Sequence, residues 1–180
     1  MSAVETMKML ANRIYKFVVS SGNFLGILLL FFFRINWGWQ FFVTGRGKLT
    51  GHSQVVEFFT SLHLPFPDMT AWFVGGVECI GGILLLIGLA TRPVGLILAA
   101  NMIVAYLSVD DDRQTIFNFF KDQDPFFKAD PFFFLLTGLL AFAFGGGPIS
   151  ADALIKRLLG KSGAPQESKV SGGAGSRTMK

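Results

Sequence analysis

FLGILLLFFF, from Phe24 to Phe33, contains no polar side chain, and IGGILLLIGL, from Ile80 to Leu89, is equally clean. A helix on the surface of a soluble protein keeps a polar face, because only one stripe of it meets a core. These runs therefore face lipid or other apolar helices. Working outward from them, four segments are apolar over lengths that suit a bilayer: Gly22 to Val43, Met69 to Leu89, Val94 to Val109 and Pro131 to Gly145. The last two fall short of the roughly 20 residues a span needs, so they are expected to recruit flanking residues or to meet a thin bilayer. Composition agrees, with 51% of the 180 residues hydrophobic and only 16% charged, unlike an ordinary soluble domain. The expected fold class is an all-α membrane protein, a four-helix transmembrane bundle with short interfacial helices.

Lys8, Arg13 and Lys16 precede the first apolar run as they would in a signal peptide. Arg34, Asn36 and Trp37 follow it, where a cleaved leader would carry small residues, so the segment is expected to be retained. Met7, Leu10, Ile14, Phe17 and Val18 recur at helical spacing, which fits either an interfacial helix or an extension of the first span. The chain then divides into an amphipathic segment at 1–21, a membrane domain at 22–160 and a Gly- and Ser-rich tail at 161–180 that is expected to be disordered. Pro93 is expected to open the third span, with a tight turn at Thr91 to Pro93 that makes the second and third spans antiparallel neighbours.

Basic residues set orientation. With both termini inside, that side holds Lys8, Arg13, Lys16, Arg92, Lys156, Arg157, Lys161, Lys169, Arg177 and Lys180, against Arg46, Lys48, Arg113, Lys121 and Lys128 outside. The expected location is the bacterial cytoplasmic (inner) membrane, multi-pass, with both termini cytoplasmic. The net charge of +4 follows from these basic ends, and no basic and aromatic nucleic-acid motif accompanies it. A single cysteine, Cys79, excludes a CxxC pair. Neither histidine, His52 or His63, lies in an apolar run, so a two-histidine haem inside the bundle is excluded and no metal site is expected.

The two outer connections carry patterns of their own. Val55, Val56, Phe58, Phe59 and Leu62 share one face of a short helix ahead of the Leu64 to Pro67 turn. Phe117, Phe119, Phe120, Phe126 and Phe127 stand among acidic residues in the second connection. They read either as an aromatic belt at headgroup depth or as a docking surface for an external partner.

Two ionisable residues fall inside the apolar spans, Arg34 and Glu78. Each costs about 2.5–3.5 kcal/mol at the centre of a lone helix, so each calls for a partner. Arg34 lies nine residues from Val43 and Glu78 nine from Met69, a depth of roughly 13 Å in both cases. Ala71, Gly75, Glu78 and Gly82 share one helix face, and Arg34, Gly38, Phe41 and Gly45 repeat the same offsets. The expectation is an inward Arg34 to Glu78 ion pair, with Asn101 donating to the carboxylate and with Asn36 and Gln40 as further polar groups of the cluster. Such a pair either fixes which helix faces which or marks a headgroup or proton site.

In order and spacing these features resemble the DoxX family of small bacterial membrane proteins. The resemblance rests on Arg34 in the first helix, Gly45 to Lys48 after it, Leu64 to Pro67, ECIGGILLLIGLATR from Glu78 to Arg92, and GGGPISADALI from Gly145 to Ile155. It runs over about Ile27 to Ile155 and departs where His63 replaces a usual glycine and in the long phenylalanine-rich second connection. Lys48 and His63 are thereby candidates on the outer face. The resemblance implies a four-helix membrane bundle and an accessory, non-catalytic subunit of a quinone-linked redox system, with no covalent cofactor. Its expected associates are a quinone, the lipid bilayer, a redox-enzyme partner and further copies of itself. A scaffold that recruits a partner through its outer loops is the alternative. A small-molecule transporter fits less well, because no inverted repeat is present.

Overall fold

The computed structural model describes residues 3–162, and all regular structure there is helical. Eight helices follow in order: α1 Ala3–Thr50, α2 His52–Ser61, α3 Pro67–Ile87, α4 Thr91–Ser108, α5 Asp110–Phe117, α6 Asp124–Lys128, α7 Pro131–Phe144 and α8 Ala151–Ser162. Four of them form a closed ring in which α1 packs on α3, α3 on α4, α4 on α7 and α7 back on α1. Phe41, Leu85, Val94, Leu98, Met102 and Ala141 fill the centre. In α1, α3 and α4 the chain has three helices long and apolar enough to cross a membrane, while α7 is equally apolar but shorter, at 14 residues. The chain is an all-α membrane protein.

Glycine seams hold the ring. A Cβ on Gly45 would lie 2.3 Å from the Cys79 backbone nitrogen, and one on Gly82 would lie 2.4 Å from that of Phe42. The α1 and α3 backbones therefore touch with no side chain between them, the contact by which membrane helices gain dispersion energy that lipid cannot supply. A second seam joins α4 to α7, where a Cβ on Gly95 would meet the Gly138 carbonyl oxygen at 2.7 Å.

Several expectations about boundaries need correction. Of the two readings of the amphipathic segment, the extension of the first span holds: from Ala3 the chain runs unbroken into α1, with the side chains of residues 7–25 exposed. At its other end α1 does not stop at Val43 but continues to Thr50. TGRGKLT looks like a terminator, yet Thr44 and Thr50 turn their hydroxyls back onto the carbonyls of Gln40 and Arg46 at 2.9 and 3.1 Å, and Gly45 is needed against α3. Pro93 is the third residue of α4 rather than the first, still within the turn whose N–H groups lack helical partners. The reversal comes earlier, at Gly88 with φ 70°, where Leu89 N–H bonds Leu84 O at 3.0 Å in a Schellman closure. The tail expected to be disordered lies, apart from the end of α8, outside the described residues.

Gly45→Ala should lower the melting temperature in detergent by the equivalent of about 1–3 kcal/mol, since the added methyl must push two backbones apart. Gly22→Ala, with nothing within 4 Å of its Cβ, serves as control. Equal melting of the two variants would remove the seam from the account of stability.

Candidate functional site

Three helices bring one charged group each, or its partner, to the α2 end of the bundle. Glu78 of α3 is 1% exposed. Lys48, in the last turn of α1, donates from Nζ to both of its oxygens, at 2.5 Å to Oε1 and 2.6 Å to Oε2. Asn101 of α4 donates from Nδ2 to Oε1 at 3.1 Å. A carboxylate removed from water is tolerable only with such donors on its lone pairs.

Arg34 is not the partner of Glu78. Its guanidinium donates to the carbonyl of Gly146 and, at 2.5 Å, to that of Ile149, in the connection between α7 and α8. The equal-depth reading measured from Val43, but α1 runs seven residues further. Antiparallel packing of the two full helices sets Gly45 against Cys79 and Arg34 against Gly88. Lys48 is fourteen residues beyond Arg34, about 21 Å along the helix, so the two cations serve opposite ends of the bundle.

Two cavities meet at the Lys48–Glu78 couple. One, of about 210 Å³, lies beneath α2 and is walled by Val55, Phe58, Phe59 and Leu62, with Asn101, Ala105 and Ser108 along its α4 side. The other, of about 500 Å³, is lined by Trp37, Gln40, Thr44, Met102 and Phe134, with Asp130 beside them. Gln40 thus joins the cluster, whereas Asn36 is exposed and lines neither cavity. His63, in a left-handed turn at φ 55°, is exposed and also stands apart. His52 is the histidine with partners here: it stacks on Trp72 at 4.3 Å and meets Asp68 Oδ1 from Nε2 at 2.9 Å.

The phenylalanine-rich connection packs largely on itself. Phe119, Phe126, Phe127 and Phe132 meet edge to face at 5.0–6.0 Å, and Tyr106 of α4 ties the cluster down by donating to Phe126 O at 2.9 Å. Phe117 and Phe120 point outward, 78% and 96% exposed. Burial, then Asp130 and Asp111, push the Asp112 carboxyl above the usual range. Of these carboxyl groups, Asp130 lines the larger cavity.

The DoxX family model matches residues 29–111. That range contains Lys48, Glu78 and Asn101 on α1, α3 and α4, and this chain belongs to the DoxX family. It is similar to "Putative oxidoreductase CatD" of Bacillus subtilis (strain 168), 40% identical over 85 residues, which are 47% of this chain and 60% of that protein. The match therefore spans less than two thirds of that relative's length. An uncharacterized protein of Haemophilus influenzae is 30% identical over 141 residues, 76% of this chain and 87% of that one. No solved structure matches the chain.

Lys48→Met should destabilise the bundle by roughly 3 kcal/mol because it leaves Glu78 buried without its counter-charge, and adding Glu78→Gln should recover most of that loss. The corresponding cycle between Arg34 and Glu78 should show no coupling. The measurement is thermal or denaturant unfolding of all four members of each cycle. Additive effects at Lys48 and Glu78 would contradict the pairing described here.

Proposed function

We propose that the protein is an accessory membrane subunit that binds a quinone at Lys48, Glu78 and Asn101 on behalf of a partner redox enzyme. The observation that carries this reading is the buried charge couple set between two apolar-walled cavities. Ligand sites generally combine apolar walls with a few convergent polar groups, and a quinone asks for that combination: carbonyl oxygens at one end and hydrocarbon at the other. Trp37, Met102 and Phe134 are the walls that suit its ring. Lys48 Nζ donates toward a ring oxygen, Asn101 keeps the Glu78 carboxylate oriented, and Glu78 takes or returns a proton at its carboxylate. When bound, the quinone supplies two-electron chemistry, so the electrons come from or go to the partner enzyme. The similarity to the Bacillus relative, named "Putative oxidoreductase CatD", favours the same class of role.

In this reading the protein sits in the bacterial cytoplasmic membrane and crosses it four times, α7 included, with both termini inside. The excess of Lys and Arg on the α8 side supports that orientation. Reporter fusions after Arg92 and Arg157 are expected to read as cytoplasmic and fusions near His52 and Gln123 as external. An external reading at Arg157 would leave α7 outside the membrane or reverse the chain.

Quinone extracted per mole of protein, purified in mild detergent, tests the site. Lys48→Gln should lower it by about 10- to 100-fold, the worth of a charge-assisted hydrogen bond of 1.5–3 kcal/mol, while Phe120→Ser should leave it unchanged. The exposed Phe117 and Phe120 favour a second reading, recruitment of an external partner by the α5–α6 connection. Unchanged quinone in Lys48→Gln, together with loss of a co-purifying partner in Phe120→Ser, would establish that reading in place of the first.

A further inference from the structure

At the end of the bundle away from Lys48, the α3–α4 turn and the α7–α8 connection enclose a cavity of about 700 Å³. Its lining is cationic and hydroxylic. Arg92 and Lys156 contribute exposed positive charge, and among the described residues neither forms a salt bridge. Thr91 is fully buried, and its hydroxyl lies beside the Asp152 carboxylate without closing a hydrogen bond. Gly146 stands opposite: a Cβ there would lie 2.7 Å from Thr91 Oγ1 and 2.9 Å from Ser150 Oγ. The missing side chain is what leaves room beside both hydroxyls.

The acidic residue of the lining is already engaged. Asp152 accepts the Ala90 N–H at 2.8 Å on Oδ1 and the Thr91 N–H at 2.9 Å on Oδ2. Burial works against its ionised form, but those two donors, the adjacent Thr91 hydroxyl and nearby Lys156 outweigh burial and hold its carboxyl below the usual range. Arg34 braces the wall from the bundle side through the Gly146 and Ile149 carbonyls. The cavity is thus pre-shaped, with one internal anion spent on capping α4 and two cations left over.

The helix beside the cavity indicates the depth at which it opens. On α8, Leu154, Ile155, Leu158 and Leu159 are exposed along one face, and Lys156 and Arg157 interrupt them. An amphipathic helix attached to the end of an apolar bundle lies along the membrane interface, with its basic residues at headgroup level.

We propose that this cavity binds the phosphate of an anionic phospholipid. Arg92 and Lys156 take its charge, the Thr91 hydroxyl donates to a phosphate oxygen, and the apolar row of α8 sits among acyl chains. The site is separate from the Lys48 cavities and stands or falls without them.

The test uses the full chain, delipidated in mild detergent, with melting followed on adding phosphatidylglycerol, phosphatidylcholine or inorganic phosphate, and with retained lipid counted by native mass spectrometry. Phosphatidylglycerol alone is expected to raise the melting temperature and to remain bound. Arg92→Gln with Lys156→Gln should lower its retention on the order of tenfold or more, about one kcal-scale step for each basic residue at the surface. Thr91→Val should shrink the phosphatidylglycerol-induced shift, read relative to the variant's own lipid-free melting temperature and to its response to phosphatidylcholine. Should the double variant fail to fold, Thr91→Val decides alone. Equal shifts with phosphatidylcholine or with inorganic phosphate, or retention unchanged in a folded double variant, would overturn the proposal.

Discussion

The α1 and α3 backbones meet across glycines, and the rest of the bundle inherits its register from that contact. Gly38, Gly45, Gly75 and Gly82 each stand where a side chain would run into the facing helix. Slippage by one turn, 5.4 Å, would bring larger side chains such as Phe42, Leu49 or Leu86 into a seam that has no room for them. Register is therefore discrete rather than adjustable. It levels Glu78 with the last turn of α1 and Arg34 with the first turn after α3. Both charges are buried for the same reason, yet they answer to different partners about 21 Å apart.

The second seam, at Gly95 and Gly138, completes the arrangement. By fixing α4 it brings Asn101 to Glu78, and by fixing α7 it sets the carbonyls of Gly146 and Ile149 over Arg34. The polar groups at helix ends, which an apolar surrounding cannot satisfy, are thereby paired inside the protein. Asp152 caps α4, its own N–H bonds Gly88 O at 3.0 Å, and Ser150 Oγ accepts the Ala153 N–H at 3.1 Å. Each end of the bundle is closed by a small polar network, but the two differ in kind. Carbonyls and capping bonds dominate near α8, and a charge couple flanked by open volume dominates near α2.

Much of this was legible in the sequence, and the wrong partner for Glu78 traces to a single boundary. Uninterrupted apolar runs revealed the helices, and the offsets of Gly75, Glu78 and Gly82 correctly identified the face of α3 that meets α1. Asn101 was rightly read as a donor to the carboxylate. What the sequence did not show was where α1 ends. TGRGKLT has the composition of a terminator, and only the close approach of α3 explains why a helix with two glycines persists there. An error of seven residues in that boundary turned a correct face into a wrong partner. Lys48 then stood out only through family resemblance. The α8-end cavity escaped notice because its members, Thr91, Arg92, Ser150 and Lys156, are scattered over two connections that only the fold unites.

The choice of cation at each end follows from its geometry and points to where ligand chemistry belongs. Arg34 presents a rigid planar fork, and two backbone carbonyls on one connection use it as a fixed clasp. Releasing it would leave two partly buried carbonyls without their donor, so this cation is committed to the fold. Lys48 is a point charge on a flexible stem, and its side chain is 31% exposed while Glu78 is 1%. In the proposed role, its ammonium leans away from one carboxylate oxygen toward a ligand oxygen in the neighbouring cavity and still neutralises the glutamate. Asn101 remains on Oε1 throughout, so the carboxylate is never left without a donor. On that reading, a lysine on a flexible stem over a carboxylate that Asn101 holds in place suits a binding site, whereas Arg34, fixed on two carbonyls, suits a structural clasp.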